Sequence, residues 1–98
     1  MKITNYDDVK FTSIKYDGSI IHFKYKNEDY TVINGQTDYT FYIKLCKGNT
    51  KGKLEYISGT YGWIPDLIRY KFNKKVLKYI DKEYFVEKLI SNKLLESN

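Results

Sequence analysis

Apolar side chains in this chain change their spacing once, and that change constrains the fold more than any motif does. Over residues 9–58 they fall mainly at alternate positions, and from Trp63 onward they recur at every third or fourth. The first spacing sends successive side chains to opposite faces of a strand; the second lays a stripe along one side of a helix. The clearest strand is 39–46, where Tyr39, Phe41, Ile43 and Leu45 alternate with Thr40, Tyr42, Lys44 and Cys46.

Turn residues divide the first part. Asp17-Gly18 follows the run 9–16, and this pair suits a two-residue type I′ hairpin because both central positions need positive φ. A return strand over 19–26 then sets Ile14 opposite Ile21, Thr12 opposite Phe23, Lys10 opposite Tyr25 and Tyr16 opposite Ser19. A second turn at Asn27-Glu28 leads to a strand over 30–34, with Tyr25 opposite Tyr30 and Phe23 opposite Val32. All three strands then share one apolar face, which a one-residue slip would turn outward. Asn34-Gly35 closes the third strand, 47–53 reads as a solubilising loop, 54–58 as a fifth strand, and 58–62 as a connector.

Beyond it, Trp63 is placed to seal one end of the core where sheet meets helix. Pro65 and Asp66 suit the first turn of a helix. Ile68, Phe72, Val76, Tyr79 and Ile80 form its apolar stripe. Asp81 caps a second helix from Lys82 to about residue 95, with Phe85, Val86, Leu89 and Ile90 inward, unless the two helices are one. The expectation is an α+β fold in a single domain, residues 1–98. An antiparallel sheet of four to five strands (about 9–58) has one face covered by one or two C-terminal helices (about 65–95).

The net charge of +5 is lopsided: residues 1–46 sum to zero and 47–98 carry all of it. Lys71, Lys74, Lys75, Lys78 and Lys82 recur at helical spacing and span an arc of about 100° opposite the apolar stripe. With few acids in (i, i+4) positions, this row is suited to phosphates or an acidic protein surface, although a charge run also simply keeps a helix in water. The second candidate is the outward sheet face. The expected register puts Val9, Phe11, Ser13, Lys15, Ile20, His22, Lys24 and Lys26 there, with Phe11 opposite Lys24 and Val9 opposite Lys26. Tyr42 and Lys44 are the matching candidates on the fourth strand. Rings interleaved with lysines are the ingredients of a base-stacking platform, but the glycine-aromatic signature of an RRM is absent.

Catalytic signals are missing. His22 is the one histidine and Cys46 the one cysteine, so the usual zinc sets cannot be assembled and no internal disulfide forms. The 47–53 loop lacks the phosphate-binding spacing GxxxxGK[ST]. No enzyme activity, metal or cofactor is expected. No segment reaches the ~20 apolar residues of a membrane span, and the start lacks an apolar signal core, so the expected location is the cytoplasm.

Eleven tyrosines and sixteen lysines beside one arginine and no alanine imply A/T-rich coding, as in low-GC bacteria and their mobile elements. The composition points to a small non-enzymatic binding protein whose partner is a protein or ribonucleoprotein with an acidic or phosphate-rich surface. In size and A/T-rich coding the chain resembles the small proteins of bacterial phages and mobile elements, and that resemblance implies, as the most concrete form, an inhibitor or accessory of a host nucleic-acid machine such as a CRISPR-type defence nuclease. The alternative is autonomous binding of RNA or DNA. With Arg69 as the lone arginine, such binding would follow backbone and shape with little sequence preference.

Overall fold

A computed structural model describes residues 1–16, 19–36, 39–62 and 81–97. After a short 3-10 turn (Tyr6–Asp8) come β1 (Lys10–Lys15), β2 (Ile20–Tyr25), β3 (Glu28–Gln36), β4 (Phe41–Lys47), β5 (Glu55–Gly62) and α1 (Lys82–Ser91). The five strands lie side by side in chain order, every neighbouring pair antiparallel. The expected sheet is therefore present at the upper strand count and runs to Gly62, while one C-terminal helix lies among the described residues. Trp63, Pro65 and the stripe from Ile68 to Ile80 lie outside them.

Three local features set the register, the first two moving it away from the expected one. The first is a bulge in β1: Ile14 pairs with Ile21 and Ser13 with His22 as expected, but Phe11 then pairs with Phe23 and Lys10 with Lys24. Thr12 is the extra residue. A bulge reverses the facing of everything beyond it, so Phe11 and Val9 turn into the core, 9% and 0% exposed. The second is the β2–β3 turn, which sits at Lys26-Asn27, φ 52° and 64°. Two consecutive residues at positive φ make the tight I′ geometry that fits strand twist. Phe23 accordingly pairs with Tyr30 and Ile21 with Val32. That register is displaced by two residues from the expected one, so the faces are unchanged. The third is a second bulge at Ile57: Leu45 pairs with Ser58 and Cys46 with Tyr56.

Ser58–Gly62, expected as a connector, is the second half of β5, pairing with Phe41–Leu45. Likewise β3 continues through Asn34-Gly35 to Gln36. Both extensions depend on glycines that bring a tyrosine ring onto the backbone: a β-carbon at Gly35 would overlap the Tyr42 ring, and one at Gly59 would stand 2.9 Å from the Tyr56 hydroxyl. Glycine here is a seat for an aromatic side chain rather than a stop signal.

One sheet face forms the core. Ile14, Ile21, Phe23, Val32, Ile43 and Leu45 meet Phe85, Val86 and Leu89 of α1, with Ile3 and Val9 from the N-terminal segment. Phe85 places its ring edge-on to Phe11 (centroids 4.8 Å, 77°) and Phe23 (5.5 Å, 79°), the arrangement that aromatic quadrupoles favour. Asp81 caps α1 as expected, its carboxylate accepting the Tyr84 N–H at 3.0 Å. The helix ends earlier than expected, in a Schellman motif: Leu94 N–H donates to Leu89 O (2.8 Å) and Lys93 N–H to Ile90 O (2.9 Å), with Lys93 at φ 62°. The reversal sends Leu94 and Leu95 into the core. Ser58 and Thr60 hydroxyls fasten it to β5 by donating to Leu94 O and Asn92 O, each at 2.6 Å.

Candidate functional site

Among the described residues, α1 and the N-terminal segment lie on the core side of the sheet, and no helix covers the opposite face. Strand alternation and the two bulges put Ser13 and Lys15, Ile20, His22 and Lys24, Asp29, Thr31 and Ile33, Tyr42, Lys44 and Cys46, and Tyr56 and Tyr61 on it. These residues make two adjoining groups.

The first group is a basic concavity. Ser13, His22, Thr31 and Cys46 form one cross-strand row. The 47–53 loop folds back over this row. Thr31 Oγ1 donates to Gly48 O (2.8 Å), Gly48 N–H donates to Asp29 O (2.7 Å), and Thr50 reaches His22. His22 is only 7% exposed, with Ser13 Oγ 2.6 Å from Nδ1 and Thr50 Oγ1 3.0 Å from Nε2. Burial pushes its pKa below the ordinary 6.5; Lys15 and Lys51 push the same way and Asp29 opposes. The imidazole is therefore neutral at neutral pH, donating to one hydroxyl and accepting from the other. Around it opens a cavity of about 360 Å³ walled by Lys15, Lys24, Lys51, Asp29 and Asn49. Lys24 and Asp29 are 3.6 Å apart across β2 and β3. The loop, expected as a solubilising excursion, thus also forms one wall of this cavity.

The second group is aromatic. Tyr42 lies over Gly35, with the Tyr61 ring 6.0 Å away at 43° and Lys44 Nζ 4.9 Å from the Tyr42 centroid. Tyr56, over Gly59, and Tyr61 are 62% and 67% exposed. Of the outward-facing strand positions, only Asp29 carries a carboxylate, and Lys24 already pairs with it.

The expected site residues are thus divided. Tyr42 and Lys44 are brought into contact, and Lys24 faces outward as expected. Phe11 is a correction: it is a core residue opposite Phe23, because the Thr12 bulge turns it away from Lys24 and from solvent. Val9 is corrected for the same reason. Lys26 occupies the β2–β3 turn, its Nζ 5.4 Å from the Tyr25 ring centroid, at the sheet's end. Lys82 opens α1 and donates to Asp7 O at 3.3 Å, remote from the outward face. Lys71, Lys74, Lys75 and Lys78 lie outside the described residues. Sequence reading missed Tyr56, Tyr61, Asn49 and Lys51. Tyr56 lay within the expected fifth strand and Tyr61 was readable only by taking Ser58–Gly62 as strand; the loop's three lysines and two glycines were a local hint of phosphate contact, set aside because the spacing GxxxxGK[ST] is absent.

Cys46 is buried, and burial raises its thiol pKa against a lowering by Lys44. No His, Cys, Asp and Glu grouping among the described residues could hold a metal ion, and no helix among them is long and apolar enough to cross a membrane. Comparison with family models, with curated proteins and with solved structures finds no match for this chain.

Proposed function

We propose that this is a non-catalytic binding protein whose outward sheet face holds single-stranded nucleic acid, either free or as the exposed strand of a ribonucleoprotein. The observation that carries this reading is the Tyr42–Lys44–Tyr61 group, set beside a concavity walled by three further lysines. Exposed rings offer stacking surfaces to bases of any identity, and ammonium groups between them meet phosphates. A duplex buries the faces of its bases, so the same surface should discriminate against it. The scarcity of arginine fits contact to the backbone without base readout. A phage or mobile-element protein that blocks a host nucleic-acid-guided machine by occupying its strand is the most concrete setting, in keeping with the A/T-rich coding.

Fluorescence anisotropy with labelled single-stranded and duplex oligonucleotides at two salt concentrations tests it. Single strands should bind more tightly, and each phosphate contact should add about 0.7 to the slope of log K against log salt. Tyr61→Ala should weaken binding about 5- to 150-fold, corresponding to ~1–3 kcal/mol per stacked base. Absence of binding at low salt would reject the proposal.

A further inference from the structure

We infer that the concavity between β1–β3 and the 47–53 loop is a binding site for a phosphate monoester, namely the terminal phosphate of the strand held by the outward face. This rests on the reading of that face given above. The concavity is about 360 Å³, too large to be a gap for one water and roomy enough for a phosphate with part of its sugar. Lys15, Lys24 and Lys51 against Asp29 leave two positive charges in excess around it. A terminal monoester is close to a dianion at neutral pH, whereas each internal phosphodiester carries one charge. The charge balance therefore favours the end of a strand over its middle.

The base of the site adds a directional donor. His22 sits between two hydroxyls, Ser13 on Nδ1 and Thr50 on Nε2. A neutral imidazole donates once and accepts once, so the hydroxyl that accepts keeps its own O–H proton uncommitted. Ser13 lines the concavity. With the ring proton on Nδ1, Ser13 accepts from His22 and is left to donate into the cavity. An anion there should therefore draw the imidazole toward the Nδ1–H tautomer. Unlike a plain cluster of lysines, this arrangement leaves a signature on a single residue. Because His22 is the one histidine, its ring nitrogens can be observed without interference.

The test compares one single-stranded oligonucleotide carrying a 5′-phosphate, a 3′-phosphate or only hydroxyl ends, in phosphate-free buffer at low salt. The ring ¹⁵N shifts of His22 are followed with inorganic phosphate as a separate probe. The inference predicts at least tenfold tighter binding of one phosphorylated form. Lys51→Ala should remove that preference without altering the urea midpoint, since Lys51 is exposed on the loop. It also predicts a phosphate-dependent move of the His22 proton toward Nδ1. Equal binding of all three oligonucleotides would overturn the inference and leave the reading of the face intact. A His22 response to phosphate with no oligonucleotide binding would overturn the reading of the face and, with it, the strand end as the ligand, leaving a site for free phosphate alone. Neither response would overturn both.

Discussion

Replacing Phe11 separates the two registers available to β1. If β1 alternated without interruption, Phe11 would stand on the outward face, and truncating it would change stability by no more than about 0.5 kcal/mol. With the bulge at Thr12, Phe11 is 9% exposed and meets the Phe85 ring edge-on at 4.8 Å. Burial loss and the cavity left behind then make Phe11→Ala cost about 3–5 kcal/mol. The ring lies at the margin of the core, which favours the lower part of that span. Some of the cost, about 0.5–1.5 kcal/mol, belongs to the aromatic pair itself and should not recur when Phe85 is already leucine. At a urea slope of roughly 1–1.5 kcal/mol/M for a chain of this size, the midpoint should fall by about 2–3 M. Phe11→Leu, losing about 1–2 kcal/mol, keeps the comparison readable should the alanine variant unfold. The assay is urea denaturation followed by tryptophan fluorescence, with oligonucleotide affinity measured on the leucine variant. A loss below about 1 kcal/mol for Phe11→Ala, or a loss of affinity in folded Phe11→Leu, would refute the bulged register.

Other expectations follow from particular contacts. His22 holds its pKa below 6.5 when folded, chiefly through burial, so below that pH the unfolded chain takes up the proton more readily. Stability should therefore be full above pH ~6.5 and decline as pH falls toward the folded pKa, and a His22→Gln variant should lose this segment of the urea-midpoint profile. Lys93 occupies the left-handed region at φ 62° in the Schellman motif; Lys93→Gly should raise stability by about 0.5–1 kcal/mol, and a lower midpoint would argue against that helix end. Gly35→Ala puts a methyl group where the Tyr42 ring lies. It should displace the ring from Lys44 and weaken oligonucleotide binding several-fold while costing about 1–3 kcal/mol, read by anisotropy and urea midpoint respectively.

The sheet was legible because period two acts locally and the apolar set of β2 to β4 agrees on one face, whereas the expected Asp17-Gly18 turn lies outside the described residues. The Asp81 cap was legible for the same reason. The bulges were not, because their cause is tertiary: turning Phe11 inward brings its ring against Phe85, 74 positions away in sequence. Gly35 and Gly59 were read as breakers, since the pattern does not say that Tyr42 of the next strand will lie over Gly35, or that Tyr56, beyond the Ile57 bulge in the same strand, will lie over Gly59. Tyr42 and Lys44 were found by simple alternation. Lys51 and Asn49 were not, because their place in the site depends on the loop's return over His22, through a hydrogen bond from Thr31 and one to Asp29.

Mapping amide shifts while a short single-stranded oligonucleotide is titrated into ¹⁵N-labelled protein at low salt tests the outward face most directly. Perturbations should cluster at Lys44, Gly59 and Tyr61 and extend to Ser13, His22 and Lys51, leaving the 82–91 amides nearly still. Shifts confined to the helix side of the sheet, or none at millimolar oligonucleotide, would contradict a nucleic-acid surface built from these tyrosines and lysines.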